Sequence, residues 1–214
     1  MATPPAYNWT GCYIGANVGR GFAFEEYNDP LAVPPEVFLG SHTAEGFIGG
    51  GQAGCDYQVG QFIFGFQGSG QAANLHSTHL ALGDFYSTSV PWLATATARV
   101  GHTIIPNLIV YGQGGVAWVR DHETKVDLVT GLLEGTADVT RTGWTVGVGG
   151  EYLITPNVSV FADYNFMDFG TNRTIYTTPD IPPAFFPLDI KQQVQTARVG
   201  VNVRFNPFGM WPAK

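Results

Sequence analysis

The sequence predicts an all-β chain that closes into an eight-stranded antiparallel up-and-down transmembrane β-barrel, and three observations carry the prediction. Apolar and polar residues alternate with a period of two along segment after segment. Charged residues make up only 13% of the 214-residue chain, about half the usual fraction of soluble domains. The connections between segments alternate short and long, as they do in transmembrane barrels, whose strands hide their hydrophobicity in alternation. No run of 18 apolar residues offers a membrane-spanning helix.

Strand-like segments fall at approximately 8–22, 46–58, 61–74, 90–104, 107–120, 140–154, 157–169 and 192–205, all within one barrel domain over 1–206, followed by a short tail over 207–214. The first segment turns Tyr13 inward and Cys12 toward lipid. In the second, Phe47, Ala53 and Tyr57 oppose Gln52 and Asp56. The third sets Phe62, Phe64 and Phe66 against Gly65, Gln67, Ser69 and Gln71. The fourth sets Trp92, Ala94, Ala96, Ala98 and Val100 against Thr95, Thr97 and Arg99.

In the fifth, Val110, Val116 and Trp118 oppose Tyr111 and Gln113, and in the sixth Trp144, Val146, Val148 and Tyr152 oppose Thr145 and Glu151. The seventh sets Val160, Ala162, Tyr164 and Phe166 against Asp163 and Asn165. The last is the clearest, with Ala197, Val199, Val201, Val203 and Phe205 on one face and Thr196, Arg198, Gly200, Asn202 and Arg204 on the other. A soluble sandwich shows the same alternation, but its outer face carries more Lys and Glu than these strands do. Val59-Gly60, Ile105-Pro106 and Thr155-Pro156-Asn157 read as tight turns, whereas 23–45, 75–89, 121–139 and 170–191 read as long loops. An even strand number puts both termini on the short-turn, periplasmic side.

A net charge of −7 without any Lys/Arg cluster gives nucleic-acid binding no electrostatic support. Met1 to Asn8 lack the basic region and apolar core of a signal peptide, so the chain reads as a mature sequence if it is exported.

Several stretches carry a resemblance: Tyr7-Asn8-Trp9-Thr10-Gly11-Cys12-Tyr13-Ile14-Gly15-Ala16-Asn17, Trp92-Leu93 leading to Ala98-Arg99-Val100-Gly101, Gly143-Trp144-Thr145-Val146-Gly147, Glu151-Tyr152, and Arg198-Val199-Gly200-Val201-Asn202 to Arg204-Phe205. With these motifs the chain resembles the small alphaproteobacterial outer-membrane immunogenic, porin-family (OmpA-like) β-barrel proteins. The resemblance implies a Gram-negative outer-membrane location and a structural or surface-antigen role. It further implies a final strand read by the barrel-assembly machinery, with Phe205 as the terminal aromatic of the signal. The family pattern leads one to expect bulky residues at Cys12 and Cys55; the face assignment sends both toward lipid on adjacent strands, as a candidate disulfide.

The inward set includes Tyr13, Asp56, Arg99, Tyr111, Glu151, Asp163, Arg198 and Arg204. An eight-stranded barrel is just wide enough for side chains to fill, and buried charges must pair. The expected result is a plug, centred on Arg99, Arg198, Glu151 and Asp163, with a narrow diffusion channel as the alternative. No outward face places His, Ser and an acid together, and His102 lacks such a partner, so the chain does not read as an enzyme. No cofactor is implied.

His42, His76, His79 and His122 fall in the long loops. His76 and His79, helped by Asp121 or His122, are weak metal candidates, and no metal site is assigned. The first loop is acidic, with Glu25, Glu26, Asp29, Glu36 and Glu45. Outward-facing small residues, Gly49, Gly51, Ala53, Gly68, Gly70, Ala72, Ala94, Ala96, Ala98, Gly112 and Gly114, form a candidate lateral interface, since small residues let surfaces approach closely in membranes. The alternative is that these glycines ease barrel curvature. Expected partners are therefore outer-membrane lipids and lipopolysaccharide, the assembly machinery, and a second copy or another membrane protein; loop-mediated adhesion is a further alternative function.

Overall fold

In the computed structural model the described backbone covers 8–29, 37–81, 84–127, 133–177 and 185–205, and the described side chains cover 8–24, 43–75, 89–120, 140–172 and 191–205. The strands are β1 (Gly11–Asp29), β2 (Val37–Val59), β3 (Phe62–Ala81), β4 (Asp84–Ile105), β5 (Leu108–Asp127), β6 (Leu133–Thr155), β7 (Val158–Thr177) and β8 (Phe185–Phe205). They form a closed barrel in sequence order, with β8 returning to β1. Closure removes the sheet edges through the lower and middle wall, so each backbone group there can be satisfied inside the sheet.

Alternation fixes the wall. Phe66 is 74% exposed on the outside while its neighbour Gln67 is buried inside, and the same parity holds along the other described strands. The outward band is edged by two aromatic girdles: Tyr57, Phe62, Tyr152 and Phe205 toward the short turns, and Phe47, Trp92, Trp118, Trp144 and Phe166 toward the long hairpins.

The strands run further than the alternation alone suggested. Segments expected as loops are largely continuations of the strands as paired hairpins: β1 and β2 stay paired up to Asp29 and Val37, and β7 and β8 up to Thr177 and Phe185, each across one register shift. His42, His76, His79 and His122 thus have strand backbones rather than loop ones, as do Glu25, Glu26 and Asp29; their side chains, and Glu36 altogether, lie outside the described residues. The tight turns sit at Gly60-Gln61, Pro106-Asn107 and Pro156-Asn157, with Gly60 at φ +62°, a left-handed conformation that glycine adopts without strain.

Toward the hairpin end the barrel divides. Among the described residues the β6–β7 ladder ends at Trp144–Asp168 and the β2–β3 ladder at Glu45–His76, although all four strands continue. Each division starts beside a register shift, in β7 between Asp168 and Thr171, where Gly170 takes φ +69°, and in β3 between Ala72 and Leu75. An extra residue of this kind bends its strand away from a neighbour. The upper rim is therefore two four-stranded sheets, β7-β8-β1-β2 and β3-β4-β5-β6.

The lumen is layered. Trp9, Ile63, Ile109, Tyr111 and Leu153 pack together at the short-turn end. Leu75, Val90, Leu93, Val119, Met167, Phe169 and Val194 build a second apolar layer toward the hairpins. Between them lies the polar interior that the alternation predicts. The two apolar layers are where the inward face departs from that pattern; they close the polar middle from either end, as the core of a soluble barrel would.

Candidate functional site

Four inward side chains from four different strands meet in the lower lumen: Asp56 of β2, Arg99 of β4, Glu151 of β6 and Arg204 of β8. Asp56 and Arg99 are separated by β3, and they meet because the residue between them in the register is Gly65. A Cβ there would run into the Asp56 carboxylate. The Asp56 carboxylate thus passes over the glycine to reach Arg99.

Arg99 donates to Asp56 through Nε at 2.8 Å and Nη2 at 2.7 Å, and through Nη2 to Glu151 Oε2 at 3.0 Å. Arg204 donates to Asp56 Oδ2 at 2.7 Å, to Glu151 Oε1 at 3.0 Å, and to the Trp9 carbonyl at 2.7 Å. Glu151 also accepts from Ser159 Oγ at 2.6 Å and Asn202 Nδ2 at 3.0 Å. Two guanidiniums and two carboxylates close a charge-neutral ring whose side chains are 5% exposed or less. Short, partly bidentate bonds of this kind are the strong ones, and with both charges of each pair held by several donors the desolvation of the ring is offset.

Aromatic faces complete the enclosure. The Arg99 guanidinium carbon lies 5.1 Å from the Tyr13 ring and 4.7 Å from Tyr111, while that of Arg204 lies 4.9 Å from Trp9 and 5.1 Å from Tyr13. Such separations give cation–π attraction. The Tyr13 ring stands where Gly54 leaves room for it, and its hydroxyl donates to Gln67 Oε1 at 2.8 Å.

Arg198 and Asp163 do not belong to the centre expected for them. They form a separate bidentate pair one layer nearer the hairpins, at 2.9 and 2.7 Å, with Arg198 also donating to Ser69 at 3.3 Å. Arg204 and Asp56 take the central places instead, because the stagger of β8 against β1 sets Arg204 beside Tyr13 and Arg198 beside Gly19. Gln52, Asn165 and Asn202 extend the polar layer, and Trp9 caps it from before β1. Asn202 and Ser159 are inward by parity; nothing in the alternation marks Trp9, which precedes the first strand.

On the outside, Cys12 and Cys55 are register partners and are disulfide-bonded, 43 residues apart in sequence. Phe205 pairs with Cys12 across the closing seam. The small residues Gly49, Gly51, Gly68, Gly70, Ala94, Ala96, Ala98, Gly112 and Gly114 all lie on the outer face. A Cβ on Gly70 would meet nothing within 4 Å, and one on Gly49, Gly68, Gly112 or Gly114 would meet only ordinary contacts. Inward Gly50, Gly115 and Gly143 differ, since a Cβ on each would strike a neighbouring backbone carbonyl. The packing of the barrel therefore calls for these inner glycines and leaves Gly49, Gly68, Gly70, Gly112 and Gly114 free, while a Cβ on Gly51 would lie a tight 3.3 Å from the Gly15 carbonyl. Among the described residues no group of three or more His, Cys, Asp and Glu is placed to hold a metal ion.

Residues 1–205 match the family model of the outer membrane protein beta-barrel domain. The chain is 32% identical over 211 residues to the 31 kDa outer-membrane immunogenic protein of Brucella melitensis, an alignment covering 93% of this chain and 85% of the relative. It is 28% identical over 171 residues to a 22 kDa outer membrane protein of Rhizobium leguminosarum, covering 77% and 66%. The fold is similar to that of the outer membrane protease OmpT of Escherichia coli, with a TM-score of 0.50 at 10% identity over 91% of this chain and 97% of the other.

Proposed function

Because the chain belongs to the outer membrane protein beta-barrel family, and so to the outer membrane of a Gram-negative bacterium, we propose that it is a non-catalytic structural barrel that supports the envelope, packs laterally and presents four hairpins to the outside. The short turns and both termini face the periplasm, and Phe205 at the closing seam is the aromatic read by the assembly machinery. The observation that carries the reading is the neutral Arg99–Asp56–Arg204–Glu151 ring, sealed between two apolar layers. A lumen packed in this way is suited to transmit lateral load and to block the passage of water. The outer glycines Gly49, Gly68, Gly70, Gly112 and Gly114, which the barrel's own packing does not need, support lateral contact with a second copy or another membrane protein. Ser159 bonds Glu151 with no imidazole beside it among the described residues, which gives no activated nucleophile.

A second reading, display of a binding surface, is favoured by the continuation of the strands as paired hairpins beyond the aromatic girdle. The test of the first reading is ionic conductance of the folded protein in a planar bilayer. Wild type is expected to be silent; stable openings that Arg99→Ala or Glu151→Ala alters would overturn the plug and establish a narrow diffusion channel.

A further inference from the structure

We propose that the outer face of β1, β7 and β8 holds a specific seat for a phosphorylated, acylated lipid of the outer leaflet, with Arg20 binding the phosphate. Arg20 points outward on β1 between Val18 and Phe22, at the level of the girdle residue Phe47, its register partner on β2. Its side chain is 51% exposed, and its guanidinium carbon lies 5.5 Å from the Phe47 ring and 5.8 Å from Phe22. Those rings fix the position of the head. Its carboxylate partner is Glu45, at 3.5 Å and itself 60% exposed. An exposed pair of that length contributes little, and a guanidinium has five donors to offer.

Beside Arg20 the wall is recessed. The register runs Arg20, Ala197, Tyr164 across β1, β8 and β7, so the small Ala197 lies between two long side chains. On the next row up, the Gln195 carboxamide accepts from the Tyr164 hydroxyl at 2.5 Å, which leaves its amide group as a further donor on the same rim. Below, a groove of about 730 Å³ runs over Ala162, Ala197 and Val199. Through Ala162 and Val199 it continues into a second recess that descends to Val201. The four residue steps from Ala197 to Val201 span roughly 13 Å of strand, down the apolar band.

A cationic head with a polar rim above, opening onto an apolar trough that runs into the membrane, is complementary to a phosphate ester carrying an acyl chain. An inorganic phosphate would use only the rim. The inference rests on the orientation proposed above, which puts Arg20 in the outer leaflet, and does not depend on whether the lumen conducts.

The test is retention of diphosphoryl lipid A by the folded full chain in detergent, read by native mass spectrometry, with the heat-dependent gel shift of folded barrels confirming the fold of each variant. Arg20→Gln is expected to lower retention roughly tenfold, as loss of a charge-assisted contact does. Ala197→Phe, which fills the groove, lowers it while leaving Arg20 in place. Glu45→Gln has the opposite sign and raises retention, because it removes the carboxylate that competes for Arg20. Dephosphorylated lipid is held by wild type no better than diphosphoryl lipid A is held by Arg20→Gln. Equal retention by wild type and Arg20→Gln would overturn the proposal, and so would full displacement by excess inorganic phosphate. The bilayer silence expected of the plugged lumen persists in Arg20→Gln, so the two readings fail separately.

Discussion

Arg99 and Arg204 share both of their carboxylates: each reaches Asp56 at 2.7 Å and Glu151 at 3.0 Å. Removing either acid therefore leaves two buried guanidiniums facing a single counter-charge. Glu151→Gln and Asp56→Asn are expected to destabilise the barrel by about 3–5 kcal/mol, the cost of breaking a buried pair from one side. Urea unfolding in lipid vesicles measures it. Asp163→Asn, which leaves only one arginine short of a partner, should cost less; an equal cost would show that the ring is not a unit.

Adjacent glycines should behave oppositely. A Cβ at Gly115 would strike the Ala96 carbonyl, while one at Gly114 meets only Thr145 O at 3.6 Å. Gly115→Ala is expected to cost about 1–3 kcal/mol, as overpacking does, and Gly114→Ala to leave monomer stability within about 0.5 kcal/mol. If lateral packing uses the outer patch, Gly68→Leu with Gly70→Leu should reduce cross-linked oligomer in native membranes while leaving the folded monomer intact. Unchanged cross-linking would remove that surface from the account.

The Cys12–Cys55 bond ties β1 to β2 beside the seam that β8 closes. Constraining a loop of 43 residues in the unfolded chain is worth about 4 kcal/mol in the chain-entropy account. Cys12→Ser/Cys55→Ser should lower the unfolding free energy by up to that amount and slow the recovery of folded barrel after dilution from urea. No change in either would mean that the strand pairing alone secures the seam.

Hydrogen exchange should report the divided rim. Amides of β6 between 135 and 142 that point toward β7 have no ladder partner there among the described residues. They are expected to exchange faster than the amides of the same stretch that pair with β5. Uniform protection on both sides of β6 would contradict the division.

Much of this architecture is legible in the sequence, and the reason is local. Along Val194 to Phe205 the pleat alone sends Val199 out and Arg198 in, whatever the strand's neighbours do. The face of Asp56, Arg99, Glu151 and Arg204 follows in the same way. Their mutual contact does not, because it depends on the stagger of four strands around a closed wall. A different stagger would have brought Arg198, also inward, to the place that Arg204 holds. The hairpin continuations are not legible in the same way, because stretches such as Asp121 to Lys125 are polar on both faces and others, such as Val37-Phe38-Leu39, are apolar on both, so neither carries the alternation.

What the sequence by itself determined is the wall: eight alternating segments, an apolar exterior, a polar interior, and the pairing of short turns with long connections. Tertiary structure decided the rest. Closure set the register that passes Asp56 over Gly65 to Arg99, that joins Cys12 to Cys55, and that separates glycines the packing requires from glycines it leaves free. The physical reason is that facing is a property of one strand's pleat, whereas contact across a barrel depends on the shear of all eight strands together, and no single segment encodes that sum.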